Sequence, residues 1–270
     1  MRRHFQLTFA GLVLASACAP FGAVSGGSAG GASEPDGGAL DPADDAEAND
    51  AGARDALEST SPCSTAHLVC EDFDTRPPWD GWVTHIESTS TIDYDPQRYV
   101  SPPASLHIAV QPGGATSHPT YLHRELPPAR RIVATADVAV SLSSPAPDGE
   151  IDVLALELTP PEGFDRYFVT LVADADGTFL VETDLDPAGG APSTEIRHVL
   201  GNLRAAFTHA GLILDVEKGT LAASFGGQEE VLIVEKAVSK GSRLAIGASW
   251  ANNTKGTFFV NMDNVVVDQQ

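Results

Sequence analysis

The chain has 270 residues and a formal charge of −21, from 16 Lys and Arg against 37 Asp and Glu, with a pI near 4.5. A surface of that sign repels nucleic acid and anionic lipid, so neither is expected as a partner. The three cysteines and eight histidines include no two pairs at zinc-ligand spacing, which leaves no catalytic metal in view.

Residues 1–18 read as an export signal. Arg2 and Arg3 supply the positive start, and Phe5 to Leu14 form an apolar run too short to span a bilayer, which takes about 20 residues. The run closes on Leu14-Ala15-Ser16-Ala17-Cys18, which fits the A-x-A rule of an ordinary signal peptidase and also resembles a bacterial lipobox. Either enzyme cuts before Cys18. Cys63 and Cys70 lie close together, so Cys18 is the odd cysteine, and a lipid on it would remove a free thiol from the new terminus. Ala19 in the next position resembles lipoproteins sent to the outer membrane. The expectation is an outer-membrane lipoprotein, or otherwise a secreted protein, meeting a membrane through the lipid anchor only. Arg2-Arg3-His4-Phe5 also resembles a twin-arginine signal.

From residue 19 to 62 Gly, Ala, Ser, Asp and Glu dominate and Arg54 is the only base. Such a segment buries too little apolar surface to offset its ordering entropy, and it is expected to be a disordered tether. As a flexible coil it would span roughly 35–40 Å end to end.

Residues 63–270 suit one β domain. Cys63 and Cys70 open it, and in an exported chain a disulfide between them is expected, closing a ring that stabilises by about 2.5 kcal/mol. Period-two alternation runs through the rest. In Arg131 to Leu142, Ile132, Ala134, Ala136, Val138 and Val140 take one face while Thr135, Asp137 and Ser141 take the other. Similar runs occupy 104–110, 151–158, 167–173, 179–183, 212–216, 221–225, 231–234, 244–250 and 258–267. Turn pairs such as Asp176-Gly177, Lys218-Gly219, Gly226-Gly227 and Lys240-Gly241 separate them. A helical turn is expected only near 199–207. The fold class is all-β, a two-sheet antiparallel sandwich.

The last run, Phe258 to Asp268, is apolar but broken by Asp263-Asn264, and Cys70-Glu71-Asp72-Phe73-Asp74 is an acidic opening that matches it. Together these ends resemble the concanavalin A-like lectin/glucanase superfamily. The resemblance implies a jelly roll in which the first and last strands lie side by side. It also implies a structural calcium at their seam, with Asp72 and Asp263 as ligands, although no cofactor is required. Glu71 is an alternative to Asp72.

Glu150-Ile151-Asp152-Val153-Leu154-Ala155 resembles the Glu-Ile-Asp-x-x-Glu strand of laminarinase-type hydrolases in that superfamily. There the first Glu is the nucleophile and the last is the acid/base, two carboxyls about 5–5.5 Å apart. A one-residue bulge would bring position 155 onto the face of Glu150 and Asp152, and that position is Ala. Glu157 falls on the opposite face if the strand is unbulged. Lyase chemistry needs a Tyr or His base beside an Arg; Tyr167, Arg166, Arg197 and His198 supply the types without a singular spacing. Trp79, set among Pro77, Pro78 and Gly81, reads as an exposed aromatic able to stack on a sugar, whereas Trp82 and Trp250 read as core. Asp137, Asp152 and Thr170 are candidate polar contacts on one sheet face, with Asn252 and Asn253 beside them. The expected function is a non-catalytic binding module for a glycan. The alternatives are a divergent glycoside hydrolase or polysaccharide lyase, and a structural surface protein without a small ligand.

Overall fold

The computed structural model describes residues 62–113 and 117–270. The leader, Cys18 and the tether lie outside these. A single 3-10 turn, Pro62–Ser64, precedes fifteen strands. In chain order they are β1 Val69–Glu71, β2 Val83–Ile86, β3 Thr91–Asp95, β4 Ser105–Val110, β5 Thr120–Leu126, β6 Arg131–Leu142, β7 Glu150–Leu158 and β8 Phe164–Asp174. Then follow β9 Thr178–Pro187, β10 Thr194–Asn202, β11 Thr208–Asp215, β12 Thr220–Phe225, β13 Gln228–Ile233, β14 Ser242–Ala248 and β15 Phe258–Gln269.

Two antiparallel sheets result. The first runs β13-β12-β11-β6-β15-β4-β3, with β1 also beside β15; the second runs β10-β9-β8-β7-β14-β5-β2. This is a two-sheet antiparallel jelly-roll sandwich. The chain ends meet as the resemblance implied, with Val69 opposite Val267 and Glu71 opposite Val265. Alternation explains the sandwich: Ile132, Ala134, Ala136, Val138 and Val140 of β6 all face the buried core. Phe179 of β9 stacks on Phe225 of β12 at 4.0 Å between ring centres, tying one sheet to the other.

Three local readings change. Residues 199–207 form no helical turn; 194–202 is β10, which pairs with β9 along the edge of the second sheet. Lys240-Gly241 is not a hairpin tip, because β13 and β14 lie in different sheets and the pair sits on the crossover between them. Trp250 lies beyond the end of β14 and is half-buried rather than core. The Asp176-Gly177 hairpin holds: Gly177 has φ 93°, its N–H donates to Asp174 O at 3.1 Å, and Asp174 Oδ1 accepts from the Asp176 amide.

Candidate functional site

Cys63 and Cys70 are disulfide-bonded, with Cα atoms 5.4 Å apart. Beside this staple, Asp263 is fully buried and its carboxylate is taken up by the protein's own donors. Oδ2 accepts from the Val100 and Ser101 amides at 2.7 and 2.9 Å, and Oδ1 from Ser101 Oγ and the Asn264 amide at 2.9 and 2.8 Å. Asn264 forms a bulge in β15 at φ 51°, a conformation Asn tolerates better than most residues. The Asp-Asn interruption is thus a bulge that aims Asp263 at the loop 96–104. A calcium would have to displace four donors there. Among the described residues no three His, Cys, Asp or Glu side chains are grouped to hold a metal ion.

Asp72 and Asp263 still act on Asp74. Burial first, then the charges of Asp72 and Asp263, push the Asp74 carboxyl up to about 6. One of its oxygens is buried without a hydrogen-bond partner among the described residues.

The four expected sugar contacts do not converge. Trp79 is buried, edge-on to Phe73 at 5.5 Å, with Nε1 donating to Thr75 O at 2.9 Å. Its Pro- and Gly-rich surroundings suggested an exposed ring; instead Phe73, at φ 55°, lies where the Trp79 ring packs against it. Trp82 is buried as expected. Asp137 lies on β6 in the first sheet and Asp152 on β7 in the second, so they cannot line one face. Asp137 accepts from Asn264 Nδ2 at 2.8 Å and contacts His209 Nδ1 at 3.2 Å. That contact raises the His209 pKa, and the two hydrogen bonds outweigh burial to lower the Asp137 pKa. Asn252 and Asn253 are structural. Asn252 Oδ1 accepts from the Glu150 amide at 2.7 Å, and Asn253 is fully buried between His118 and Gly256 O.

The outer face of the second sheet does gather polar and aromatic side chains. Registers across it give one continuous row, Val83–His123–Ala245–Ala155–Thr170–Glu182–Arg197, from β2 to β10. Its middle is small and its ends are tall. A second row reads Glu125–Arg243–Glu157–Phe168–Asp184–Glu195. A third begins His85–Tyr121–Gly247, where Gly247 has φ 101° and a Cβ would lie 2.4 Å from Ile108 Cδ1. The His85 and His123 rings lie 5.2 and 5.5 Å from the Tyr121 ring, both tilted. Burial, then the Arg243 cation, lowers the His123 pKa.

Two guanidinium groups on this face, those of Arg243 and Arg197, are held by acids. Arg243 donates to Glu125 Oε1 and Glu157 Oε2, each at 2.9 Å. Arg197 donates to Glu150 and lies 3.3 Å from Glu182 and 3.7 Å from Glu195. Burial alone would lower the Arg197 pKa, but these carboxylates raise it.

β7 carries the one-residue bulge that brings position 155 onto the face of Glu150. Register slips by one between Asp152 and Leu154, which puts Glu150, Asp152, Ala155 and Glu157 on one face. Glu157 therefore does not face away, but it is engaged by Arg243, and the position to which the resemblance assigns an acid/base is Ala155. Tyr167 is equally unsuited to proton transfer. It is buried, its hydroxyl donates to Glu235 O at 2.8 Å, and burial pushes its pKa far up. Sequence reasoning missed Tyr121, His123 and His85. Alternation of Tyr121, His123 and Glu125 against Leu122 and Leu126 was the available signal, obscured by Arg124 at a core-parity position.

No protein-family model matches the sequence, and neither does any curated protein sequence. Solved structures do resemble the fold. An endo-β-1,4-glucuronan lyase from the fungus Trichoderma reesei superposes with a TM-score of 0.57 at 13% identity, over 76% of this chain and 96% of the lyase. The cellulose-induced protein Cip1 gives 0.50 at 12% identity, over 75% and 97% of the two chains. A sialidase gives 0.50 at 11% identity, with 76% of this chain matching 18% of the sialidase's length. At these identities the likeness is one of fold.

Proposed function

We propose that the domain is a non-catalytic glycan-binding module that uses the outer face of the second sheet, held at the outer membrane by a lipid on Cys18 or else secreted. The row Val83–His123–Ala245–Ala155–Thr170–Glu182–Arg197 carries this reading. Small side chains between taller ones make a short trough, closed along the strands by Arg243, Glu157 and Phe168 of the next row. Aromatic rings of His85, Tyr121 and His123 stand on one side of it and ion-paired polar groups on the other. Such a trough offers flat rings to the C–H face of a sugar and fixed acceptors to its hydroxyls, the usual balance of a ligand site.

Charge selects among glycans. Arg243 and Arg197 are matched by Glu125, Glu157, Glu150, Glu182 and Glu195. A polyuronate would meet a net negative surface, so the reading is a neutral glycan. Hydrolysis is not expected, since Ala155 leaves the leaving group without a proton donor.

A second reading, a divergent lyase, draws on Tyr121 between two imidazoles near Arg243, the residue types that remove a proton next to a uronate carboxylate. The acids on both sides of Arg243 weigh against it. Calorimetric titration of the purified chain with neutral and uronate oligosaccharides separates these. Binding of a neutral glycan, weakened at least tenfold by Tyr121→Ala, is the expected result. Uronate cleavage to an unsaturated product, lost in Tyr121→Phe, would replace the binding reading with the lyase. No response to either class would leave a structural surface protein.

A further inference from the structure

At one end of the sandwich a separate feature has no part in that trough. The loop 96–104 between β3 and β4 and the crossover 203–207 between β10 and β11 enclose an open cleft of about 360 Å3. Gln97, Arg98, Tyr99 and Phe207 line it, with Ala205 and Ala206. Both walls are pinned from behind. Buried Asp263 grips the Val100 and Ser101 amides, Ser105 Oγ donates to Arg98 O at 2.6 Å, and Asp95 Oδ1 takes the Gln97 amide at 2.8 Å. Across the cleft, the Leu203 amide donates to Gly177 O at 2.7 Å, Val140 N donates to Arg204 O at 2.8 Å, and Thr208 Oγ1 donates to Ala206 O.

The pinned loop presents Tyr99 at 44% and Val100 at 37% exposure, and Tyr99 supplies the apolar half of the cleft. Arg98 supplies the polar half. Its guanidinium reaches over to Ala205 O, a neutral acceptor, and among the described residues it forms no ion pair. This sets it apart from Arg197 and Arg243, each already matched by carboxylates. One carbonyl uses part of a fork with five donors, and the remainder suits a carboxylate.

We infer that this cleft is a second binding site, for a carboxylate borne on a single ring, with Arg98 taking the carboxylate and Tyr99 and Phe207 taking the ring. The volume fits one ring rather than a chain of them, so the ligand is a terminal group or a free small acid. A sugar acid and an aromatic acid share this chemistry, and the two arms of the test tell them apart. The site is independent of the outer-face trough and stands or falls without it.

The experiment is titration of the purified chain with methyl glucuronide, benzoate and, as the uncharged control, methyl glucoside, followed by two-dimensional NMR. At least one of the two acids should shift the Arg98, Tyr99 and Phe207 signals, with a Kd in the millimolar range, and methyl glucoside should not. The acid that does so names the source. Arg98→Ala should weaken binding at least tenfold. Arg98→Lys, which keeps the charge but loses the fork, should fall between, and Tyr121→Ala should leave it unchanged. Thermal melts of each variant confirm that it is folded. Absence of shifts with both acids, an equal response to methyl glucoside, or unaltered binding in folded Arg98→Ala would overturn the inference.

Discussion

Replacing Asp263 by Ala tests the view that this residue is a loop anchor. The substitution removes an acceptor for four donors, and the Ser101 and Asn264 amides among them are buried. A buried donor left without a partner costs about 1–3 kcal/mol, so these two amides alone suggest roughly 2–6 kcal/mol. Part is returned, because burial raises the Asp263 pKa despite its hydrogen bonds, meaning that the ionised carboxylate is itself costly to keep there. A net loss near 3 kcal/mol follows. For a domain of this size that lowers Tm by about 6–12 °C. Urea denaturation gives the free energy, and amide hydrogen exchange locates it: protection at Val100 and Ser101 should fall more than in the distant β8–β9 hairpin. Wild-type Tm should not change with a chelator, since the carboxylate serves amides rather than calcium. A loss under 0.5 kcal/mol, or a chelator-sensitive Tm, would refute the anchor.

Three further outcomes are expected. Converting both Cys63 and Cys70 to Ser opens an eight-residue ring and should cost about 2.5 kcal/mol on the chain-entropy model, with neither Cys63 nor Cys70 titratable as a thiol in the oxidised, unfolded wild type. Asp74, with its folded pKa raised from 3.8 to about 6, binds its proton more tightly in the folded state, so its contribution to stability is lost as pH rises through that interval. Asp74→Asn should therefore match wild type near pH 4 and be the more stable at pH 7; the reverse order of Tm values would contradict this. Cys18→Ser should shift the protein from the membrane to the soluble export fraction on detergent partitioning, and unchanged partitioning would reject the lipid anchor.

Alternation made the sandwich legible because each long strand has one buried side, as in β6, where every second residue meets the opposite sheet. β10 gave no such signal. It is an edge strand whose Glu195, Arg197 and Val199 share a face with no apolar period, and its place comes from pairing with β9. The face of Asp137 and Asp152 was also readable, but which sheet each strand joins is a matter of strand order, and that put them on opposite sides of the molecule. Ala155 was read correctly from a spacing, since a bulge is a local event. Trp79 was not, because its neighbours describe the chain's path and say nothing of Phe73 folding back to meet it.

The junction of the chain ends also has a mechanical meaning. The chain arrives at Pro62 and Cys63, yet the covalent bridge to Cys70 lets tension pass straight into β1 without stretching residues 64 to 69. β1 lies antiparallel to the terminal strand β15, and His67 Nδ1 meets Asp268 at 3.0 Å on the same side. Drag on a bound ligand would thus be delivered through sulfur to the first sheet, and the short segment most easily peeled away would be spared the load.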